Sequence, residues 1–314
     1  ALCRPSRSAM ATTTVDLSGN KKRLRKEATV RAAFFAAALF SIVVSGLIIF
    51  SLVREAWTFM STVEWATVWG DGWFPRRGQY DIKTLLVGSL IVTGSGMLLA
   101  VPIGLGAAIY LSEYAPAMVR RILKPVLETI AAIPSVVIGF FVLTFVSPDV
   151  IQWLRSSTPQ TTLFAAGLGV GILLIPLVAS VTEDALRAVP NSLREAAYGM
   201  GAKKVTTVLR VVLPAALSGV VASLILAVSR ALGETMIVTI AGGKSGGGLF
   251  SLDPLQGGLT MTAAMASVAT GTDQVVGEGL TFPSLFFVGL VLFVITFALN
   301  LLADRFVRRF RQSY

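Results

Sequence analysis

Two charged residues, Arg230 and Glu234, lie inside the otherwise apolar stretch 211–241. An ionisable side chain at membrane depth costs about 2.5 kcal/mol or more on insertion scales, so such residues usually line a pathway or are paired. On a continuous helix, a spacing of four places both side chains on one face. The pattern predicts either an ion pair within the helix or a guanidinium that meets an anion while Glu234 orients it. We favour the second interpretation, which is non-covalent anion recognition.

Three hydroxyl side chains are further candidates for the same chemistry. Thr235 follows Glu234 directly, Ser135 follows Pro134 in another apolar stretch, and Thr93 lies inside a third. Each hydroxyl could hydrogen-bond a substrate, although bonding to the backbone or between helices is the alternative for each. We place Ser135 and Thr235 with the two charged residues on a predicted substrate path.

The composition gives little support to covalent or metal chemistry. The chain has no His and a single Cys, Cys3, which excludes an internal disulfide and a cysteine metal site and removes the commonest general base. The sequence GGKS at 242–245 is similar to the end of a phosphate loop, but Val238 stands where that motif needs its first glycine. We therefore predict no catalytic residue, no metal and no ATP site in this chain.

The overall composition is that of a membrane protein. Apolar residues make up 54% of the chain, charged residues only 14%, and the mean hydropathy is +0.75, well above that of a soluble chain. Runs of about 20 apolar residues match a bilayer core about 30 Å thick. The net charge of +10 could indicate nucleic acid, but the basic residues lie in loops beside apolar runs. We predict contact with membrane lipid and no nucleic-acid partner.

The apolar runs predict an all-α integral membrane protein with six transmembrane helices. The predicted spans are residues 32–53, 84–111, 125–146, 163–182, 211–241 and 284–303. The 211–241 run is longer than one span needs, so it starts outside the bilayer, tilts, or breaks near Gly233. The chain is thus divided into a basic N-terminal segment 1–31, the first span, an outer loop 54–83, a core 84–304 with the five further spans, and a tail 305–314.

Three of these segments have distinctive features. The N-terminal segment is basic, and we expect the natural chain to start at Met10. The third run is interrupted by Pro134 and Ser135, and proline disrupts a helix interior. The outer loop carries tryptophans that suit a membrane interface or a covering partner; they are Trp57, Trp65, Trp69 and Trp73.

The distribution of basic residues predicts the orientation. The N-terminal segment, the loop 112–124, the stretch 183–214 and the tail together hold 20 of the 27 Lys and Arg residues. Under the positive-inside rule, both termini and the stretch 183–214 then lie in the cytoplasm.

The stretch 183–214 is the long polar and basic segment between the fourth and fifth spans. Pro190 ends any helix that arrives from upstream. Ser192, followed three residues later by Glu195, is typical of a capping box and predicts a short helix that begins at Leu193.

The end of this short helix is also marked in the sequence. Gly199 or Gly201 would stop it, because glycine permits the left-handed turn that many helix ends need. A second helix then leads towards Leu213-Pro214. A helix, a glycine turn and a helix held outside the membrane have the shape of a docking element.

The spacing within the docking element carries a family resemblance. Glu195-Ala196-Ala197, then Gly201, then Leu213-Pro214 resemble the EAA loop of binding-protein-dependent ABC importer permeases. Six spans with this loop between the fourth and fifth are similar to the type I importer fold. The resemblance implies that the short cytoplasmic helix sits in a groove of the ATPase; a merely amphipathic surface helix is the alternative. The residues that it assigns to ATPase coupling are Leu193, Arg194, Glu195, Ala196, Ala197, Gly201, Leu213 and Pro214.

Longer segments resemble one branch of that family, the PstC-type phosphate importer permeases. These segments are LSEYAP (111–116), LKPVLETIAAIPSVVIGFF (123–141), IPLVASVTEDALRAVPNSLREAAYGMGA (175–202), SRALGETM (229–236) and TMTAAMA (260–266). The similarity runs from about residue 21 to the C-terminus. The sister PstA-type permeases share the fold and the loop, but they fit the outer loop and SRALGETM less well.

The resemblance implies a function and a set of partners. The substrate would be inorganic phosphate, with Arg230 and Glu234 on its path, in the cytoplasmic (plasma) membrane of a bacterium. The partners would be a PstA-type second permease, two copies of a cytoplasmic ABC ATPase and an external phosphate-binding protein. ATP and Mg would be held by the ATPase, so no cofactor is expected in this chain.

Two alternatives stay open. A permease for sulfate, molybdate or phosphonate would share the EAA loop. A channel or an ion-coupled secondary transporter belongs to another class; it would place more acidic or His residues in its spans as relays and would need no ATPase.

Overall fold

A computed structural model describes residues 21–70, 72–243, 247–270 and 279–310. Cys3, Lys244 of the GGKS sequence and Arg311 of the tail lie outside these ranges. The described residues form fourteen α-helices and three short strands. The chain divides into two compact units, residues 1–51 and 52–314. Helix α1 (Lys21–Thr62) begins in the first unit and ends in the second.

Helix α1 contains the predicted first span. Its residues 26–62 are long and apolar enough to cross a membrane. Within the first unit, the large apolar side chains from Val30 to Phe50 are exposed. A helix that is apolar around its whole circumference is stable in lipid rather than in water.

The segment 54–83, which is predicted to be an outer loop, contains regular secondary structure. Residues up to 62 continue α1, and the short helix α2 (Trp65–Val68) follows. Strand β1 (Gly72–Phe74) pairs antiparallel with β2 (Gln79–Tyr80) and, on its other edge, with β3 (Gly248–Leu249).

The tryptophans of this segment divide into two groups. Trp73 is only 1% exposed, and its ring packs edge-on against Tyr80 at 6.1 Å, so its assignment to an interface was wrong. Burial in the strand pair accounts for this, since alternate residues of a strand point to the core. The other three, Trp57, Trp65 and Trp69, are exposed as predicted.

Helix α3 (Ile82–Ile109) is the second span, close to the predicted bounds 84–111. Asp81 caps its start by accepting a hydrogen bond from the Lys83 backbone N–H at 3.1 Å. The helix continues as a wider π-helical turn over Tyr110–Tyr114.

The third span differs from the prediction. Helix α4 (Ala117–Ala131) is followed, after a bend of 86°, by α5 (Ser135–Phe141), a π-helical stretch Val142–Ile151 and the short α6 (Gln152–Leu154). The predicted bounds 125–146 therefore join the end of one helix to the start of another. Pro134 stands at the bend as the N-terminal cap of α5, because proline cannot donate a helical hydrogen bond.

Helix α7 (Leu163–Arg187) is the fourth span and packs along α3 through glycines. A Cβ atom at Gly171 would lie only 2.8 Å from the carbonyl oxygen of Gly96, and one at Gly96 only 3.0 Å from that of Gly167. The two backbones are therefore in contact, as small residues permit between helices in lipid.

The chain after α7 is a series of short helices that leads into the fifth span. They are α8 (Asn191–Gly199), α9 (Lys204–Thr207), a π-helical turn Val208–Val212, α10 (Leu213–Ala215), α11 (Leu217–Leu232) and α12 (Met236–Ala241). A bend of 71° separates α10 from α11, and Gly233 lies in the break before α12. Of the three predicted alternatives for this long run, a break near Gly233 is observed, and a second break at Ala216 adds to its length.

The last two helices complete the membrane part. Helix α13 (Met261–Ala269) begins at Thr260, whose hydroxyl caps it, and α14 (Thr281–Phe310) is the sixth span and includes the predicted 284–303. In the described ranges, four single helices are long and apolar enough to cross a membrane, and two bent pairs would each add one. The prediction of six spans holds when each bent pair is one crossing.

Candidate functional site

The short helix α8 begins earlier than predicted. It starts at Asn191 directly after Pro190, and no side chain caps it, so the predicted capping box between Ser192 and Glu195 was wrong. Because Ser192 already lies within the first helical turn, its hydroxyl cannot act from the capping position. The glycine turn is confirmed: α8 ends at Gly199, and Gly201 has a φ of +81°, which favours glycine.

One face of α8 is buried against the neighbouring helix ends. Ala197 is 7% exposed, and Leu193 packs against an apolar cluster formed by the ends of α3, α7 and α11 that lie next to α8. The buried members of this cluster are Ala108, Leu186, Val189, Val212, Ala216 and Val220. Burial of apolar area fixes α8 to three spans at once.

The opposite face of α8 is exposed. Glu195 and Ala196 lie on it, together with Tyr198 at 43% and Met200 at 89% exposure. Within the described part of the chain, the Glu195 carboxylate makes no hydrogen bond or ion pair. This face offers a partner protein a carboxylate and two large side chains.

The predicted coupling residues therefore do not form one surface. Leu193, Arg194 and Ala197 face inwards and hold α8 in place, whereas Glu195 and Ala196 face outwards. The other three lie elsewhere: Gly201 forms the turn, and Leu213 and Pro214 lie in α10 just before the bend. Spacing in the sequence could not separate anchoring residues from exposed ones.

Arg194 is the most connected side chain of α8. Its guanidinium lies 2.8 Å from the carboxylate of Glu113 and donates to the carbonyl oxygens of Leu186 at 2.9 Å and Val189 at 2.6 Å. Leu186 lies in the last turn of α7, where its carbonyl also accepts the Val189 backbone N–H at 3.4 Å, and Val189 lies just after the helix end. Sequence reasoning missed Glu113 as a site residue, although it lies in the LSEYAP segment.

A second charged cluster lies at the end of α7 and was also missed. The Glu183 side chain is fully buried, with its carboxylate 2.8 Å from Lys124 Nζ, 3.4 Å from Arg187 Nη1 and 3.8 Å from Arg120 Nε. Lys124 also contacts Asp184 at 2.7 Å. The cluster ties α4 to α7. The available signal was the acidic pair at the end of an apolar run, but its partners on α4 are about 60 residues away.

We expect Glu183→Gln to lower thermal stability strongly. The change keeps the size of the side chain but leaves three cations around a buried neutral amide, which should cost roughly 2–3 kcal/mol and lower the Tm by about 5 °C or more. Asp184→Asn is the matched control. The Asp184 side chain contacts the same lysine but is 64% exposed, so we expect this change to lower the free energy of unfolding by less than about 1 kcal/mol. Heating the detergent-solubilised protein and measuring the remaining monodisperse fraction checks this. Equal Tm values for the two variants would contradict it.

Arg230 and Glu234 do not share a helix face, contrary to the prediction. α11 ends between them, and Gly233 closes its last turn. Glu234 lies in the break, where its carboxylate accepts a hydrogen bond from the Ile237 backbone N–H at 3.4 Å. Because a spacing of four aligns side chains only on a continuous helix, the break separates the two. Among the described residues, no ion pair joins them.

The break leaves Arg230 available to a ligand. Its side chain is exposed in the last turn of α11 and has no hydrogen bond or ion pair within the described ranges. The break itself is held by Thr262 of α13, whose hydroxyl donates to the Glu234 carbonyl at 2.7 Å. Broken helices with free charged groups line substrate paths in membrane proteins.

The hydroxyl candidates lie at two separate helix breaks. Thr235 is in the break before α12, where its hydroxyl donates to the Gly233 carbonyl at 3.3 Å, and Ser135 is the first residue of α5. Helices α5 and α12 pack together at Gly139, where a Cβ atom would lie 3.3 Å from Ile237 Cα. No hydrogen bond among the described residues joins the four predicted path residues to each other.

The third hydroxyl, Thr93, has a different setting. Its Oγ1 is buried in α3 and has no hydrogen-bond partner in the described part of the chain. The predicted alternatives, bonding to the backbone or to another helix, are therefore not observed for Thr93.

Two cavities accompany the broken helices. One of about 460 Å³ is bounded by Thr235, Thr262 and mainly apolar side chains of α13 and α14, so it suits hydrocarbon better than an anion. The other, about 360 Å³, lies between residues 155–159 and 253–257 and is lined by Arg155, Thr158 and Asp253. Within the described ranges, no three Asp, Glu, Cys or His side chains lie close enough to hold a metal ion.

The broken spans, the exposed helix α8 and an Arg230 without an ion pair among the described residues are typical of one class, the multi-pass membrane permeases that work with a partner subunit. Residues 100–312 match the family described as "Binding-protein-dependent transport system inner membrane component". The chain belongs to this family.

Curated relatives include permease proteins of one transport system. The chain is 35% identical to "Phosphate transport system permease protein PstC" of Pasteurella multocida over 84% of its own length and 85% of that protein. It is 32% identical to the PstC protein of Mesorhizobium japonicum over 90% of each chain. It is also 30% identical to "Phosphate transport system permease protein PstA 1" of Mycobacterium tuberculosis over 71% of each chain.

Solved structures agree on the fold. A chain of the bacterial alginate ABC transporter, in complex with its alginate-bound periplasmic protein, superimposes with a TM-score of 0.66 over 93% of this chain and 98% of that chain, at 13% identity. A chain of the inward-facing MetNI methionine ABC transporter superimposes with a TM-score of 0.52 over 74% of this chain and 94% of that chain. These similarities confirm the type I ABC importer permease fold.

Proposed function

We propose that this chain is the permease subunit of an ATP-driven, binding-protein-dependent importer of inorganic phosphate. The observation that carries the proposal is the similarity to PstC permeases over 84–90% of the chain. The fold supports it, since the chain has the broken spans of an importer permease. The chain itself breaks no covalent bond, and a separate ATPase subunit hydrolyses ATP.

The partners follow from the exposed surfaces and from the relatives. A cytoplasmic ATPase takes the exposed face of α8, and two copies serve the complex. A PstA-type permease forms the second half of the path. A phosphate-binding protein delivers its ligand on the opposite side, where the polar cavity at Arg155 and Asp253 lies.

The orientation rests on charge. The segments assigned to the cytoplasm carry 20 of the 27 basic residues, and the positive-inside rule places such segments inside. Both termini and α8 therefore lie on the cytoplasmic side. The membrane that holds the chain is the plasma membrane of a bacterium.

The path for phosphate passes the break between α11 and α12. Arg230 offers two parallel N–H donors to phosphate oxygens, a geometry that the guanidinium group favours. Glu234 holds the first turn of α12 through the Ile237 N–H, which positions the break beside Arg230. Thr235 and Ser135 supply hydroxyl groups at the two breaks.

The transport cycle couples this path to α8. ATP closes the ATPase dimer, which draws the α8 helices of the two permeases together and turns the spans to the outward-facing state. The binding protein then releases phosphate towards Arg230. Hydrolysis separates the ATPase subunits, and the inward-facing state releases phosphate to the cytoplasm.

The proposal is tested by uptake of labelled phosphate in cells that lack their own high-affinity system. The chain is expressed with its partner subunits, and the same subunits without the chain are the control. We expect ATP-dependent uptake only when the chain is present, with an ATP-binding subunit that co-purifies. Inhibition of uptake by sulfate, molybdate or phosphonate, rather than by phosphate, would assign another oxyanion. Uptake that proceeds without the ATPase would instead indicate a channel or a secondary transporter.

A further inference from the structure

The contact between α8 and the end of α3 is an ion pair almost without solvent. The side chains of Arg194 and Glu113 are 13% and 5% exposed, and the closest nitrogen and oxygen lie 2.8 Å apart. The same nitrogen, Nη2, also donates to the Leu186 carbonyl in the last turn of α7, and Nη1 donates to the Val189 carbonyl just after that helix. One side chain thus joins α8 to two different spans.

The turn that carries Glu113 is held from two further sides. The Arg120 guanidinium of α4 donates to the Leu111 carbonyl at 2.7 Å and to the Ser112 carbonyl at 3.1 Å. The ammonium of Lys204, at the start of α9, lies 4.8 Å from the centre of the Tyr114 ring. The π-helical turn Tyr110–Tyr114 leaves carbonyls without helical partners. Arg120 bonds two of these carbonyls, Lys204 contacts the ring, and Arg194 contacts the Glu113 carboxylate.

We propose that Arg194 and Glu113 form a clamp that fastens α8 to α3, so that the second span moves with α8 during the transport cycle. The inference rests on the proposed function and names positioning residues within it. Through the chain itself α8 is linked only to the fourth and fifth spans, and its other contact with α3 is the non-directional apolar packing of Leu193. With the clamp, a displacement of α8 reaches α3 directly, and α3 is packed backbone to backbone against α7 at Gly96 and Gly171.

Stability alone does not explain an ion pair at this position. The apolar contacts of Leu193 already attach α8 to the helix ends, and Ala197 is buried as well. Replacing a buried ion pair by apolar residues is often neutral or stabilising, because two charges must be desolvated. What the pair adds is a directional link between two elements 81 residues apart in sequence.

Charge reversal tests the clamp in the assembled transporter. Arg194→Glu and Glu113→Arg each place like charges in a buried site, and we expect each to lower phosphate uptake at least about 10-fold. The double variant restores the ion pair but not the hydrogen bonds from Arg194 to the Leu186 and Val189 carbonyls, so it should recover part of the uptake. Arg121→Glu, which reverses an exposed arginine of α4, is the matched control and should leave uptake unchanged. Failure of the double variant to recover would overturn the clamp.

A fluorescent label on α3 shows whether a variant has lost the movement of this helix or its folded structure. A Cβ atom at Gly106, one turn before the end of α3, meets no atom within 4 Å, so Gly106→Cys in a Cys3→Ser background carries a fluorescent label without strain. We expect ATP to change the fluorescence in the parent complex and in the double variant. The Arg194→Glu complex should still assemble and hydrolyse ATP, but without this change.

The two proposals fail in different ways. A parent complex that binds ATP and changes the fluorescence of the label but transports no phosphate would contradict the proposed function and leave the clamp testable by fluorescence. An Arg194→Glu complex with the same ATP-dependent fluorescence change as the parent would overturn the clamp, whatever the substrate.

Discussion

Glu195→Lys is expected to reduce phosphate uptake by about 100-fold while the folded chain remains intact. Glu195 lies on the exposed face of α8, and surface changes away from packed contacts usually alter stability by less than about 0.5 kcal/mol. In the proposed complex, the same face meets the ATPase. Reversal of a charge in such an interface costs several kcal/mol, so ATP hydrolysis becomes separated from transport.

The measurement is paired uptake and ATP hydrolysis with purified complex in vesicles. Glu128→Lys makes the same change at an exposed site on α4 and serves as the matched control, with near-normal uptake expected. Phosphate uptake by the Glu195→Gln complex should lie between that of the Glu195→Lys and Glu128→Lys complexes. Normal phosphate uptake in the Glu195→Lys complex would contradict the proposal that this face docks on the ATPase.

Arg230→Ala is expected to reduce phosphate uptake by about 10- to 100-fold. A hydrogen bond to a charged group contributes about 1.5–3 kcal/mol, and the truncated side chain offers none to the anion. Because Arg230 has no partner within the described residues, its removal leaves no buried charge unpaired. Expression, assembly and ATP hydrolysis should therefore stay normal.

Two variants show which property of Arg230 matters. Arg230→Lys keeps the charge but loses the planar pair of donors, so we expect an intermediate uptake. Arg308→Ala removes an arginine that is 79% exposed near the end of α14 and should have no effect. Unchanged uptake in Arg230→Ala would place the phosphate path elsewhere.

Much of the fold could be predicted from the sequence because membrane spans are local features. A run of apolar residues long enough to cross the bilayer is visible without any tertiary contact. The bounds of α3 and α7 therefore agree closely with the predicted second and fourth spans. The glycine turn after α8 is local in the same sense, since φ at Gly201 depends on one residue.

The errors arose where apolarity continued through a change of direction. The run 125–146 is apolar on both sides of Pro134, so hydropathy could not show that α4 bends away from α5 by 86°. The break at Gly233 was among the predicted possibilities, yet Arg230 and Glu234 were still assigned to one face. A spacing of four residues places two side chains on one face only where the helix between them is continuous.

The sequence by itself determined the class of the protein and its six spans, counting each bent pair as one crossing. It also determined the short helix with its glycine turn and the presence of Arg230 in an apolar run. Only the tertiary structure decided which residues of that helix face outwards and which charges meet. Glu113 and Arg194 are 81 residues apart, and Lys124 and Glu183 are 59 apart. Such pairs depend on how separate helices pack, whereas periodicity along the chain reports only on contacts within one helix. Packing brings their charges together where solvent is largely excluded, and no local pattern records it.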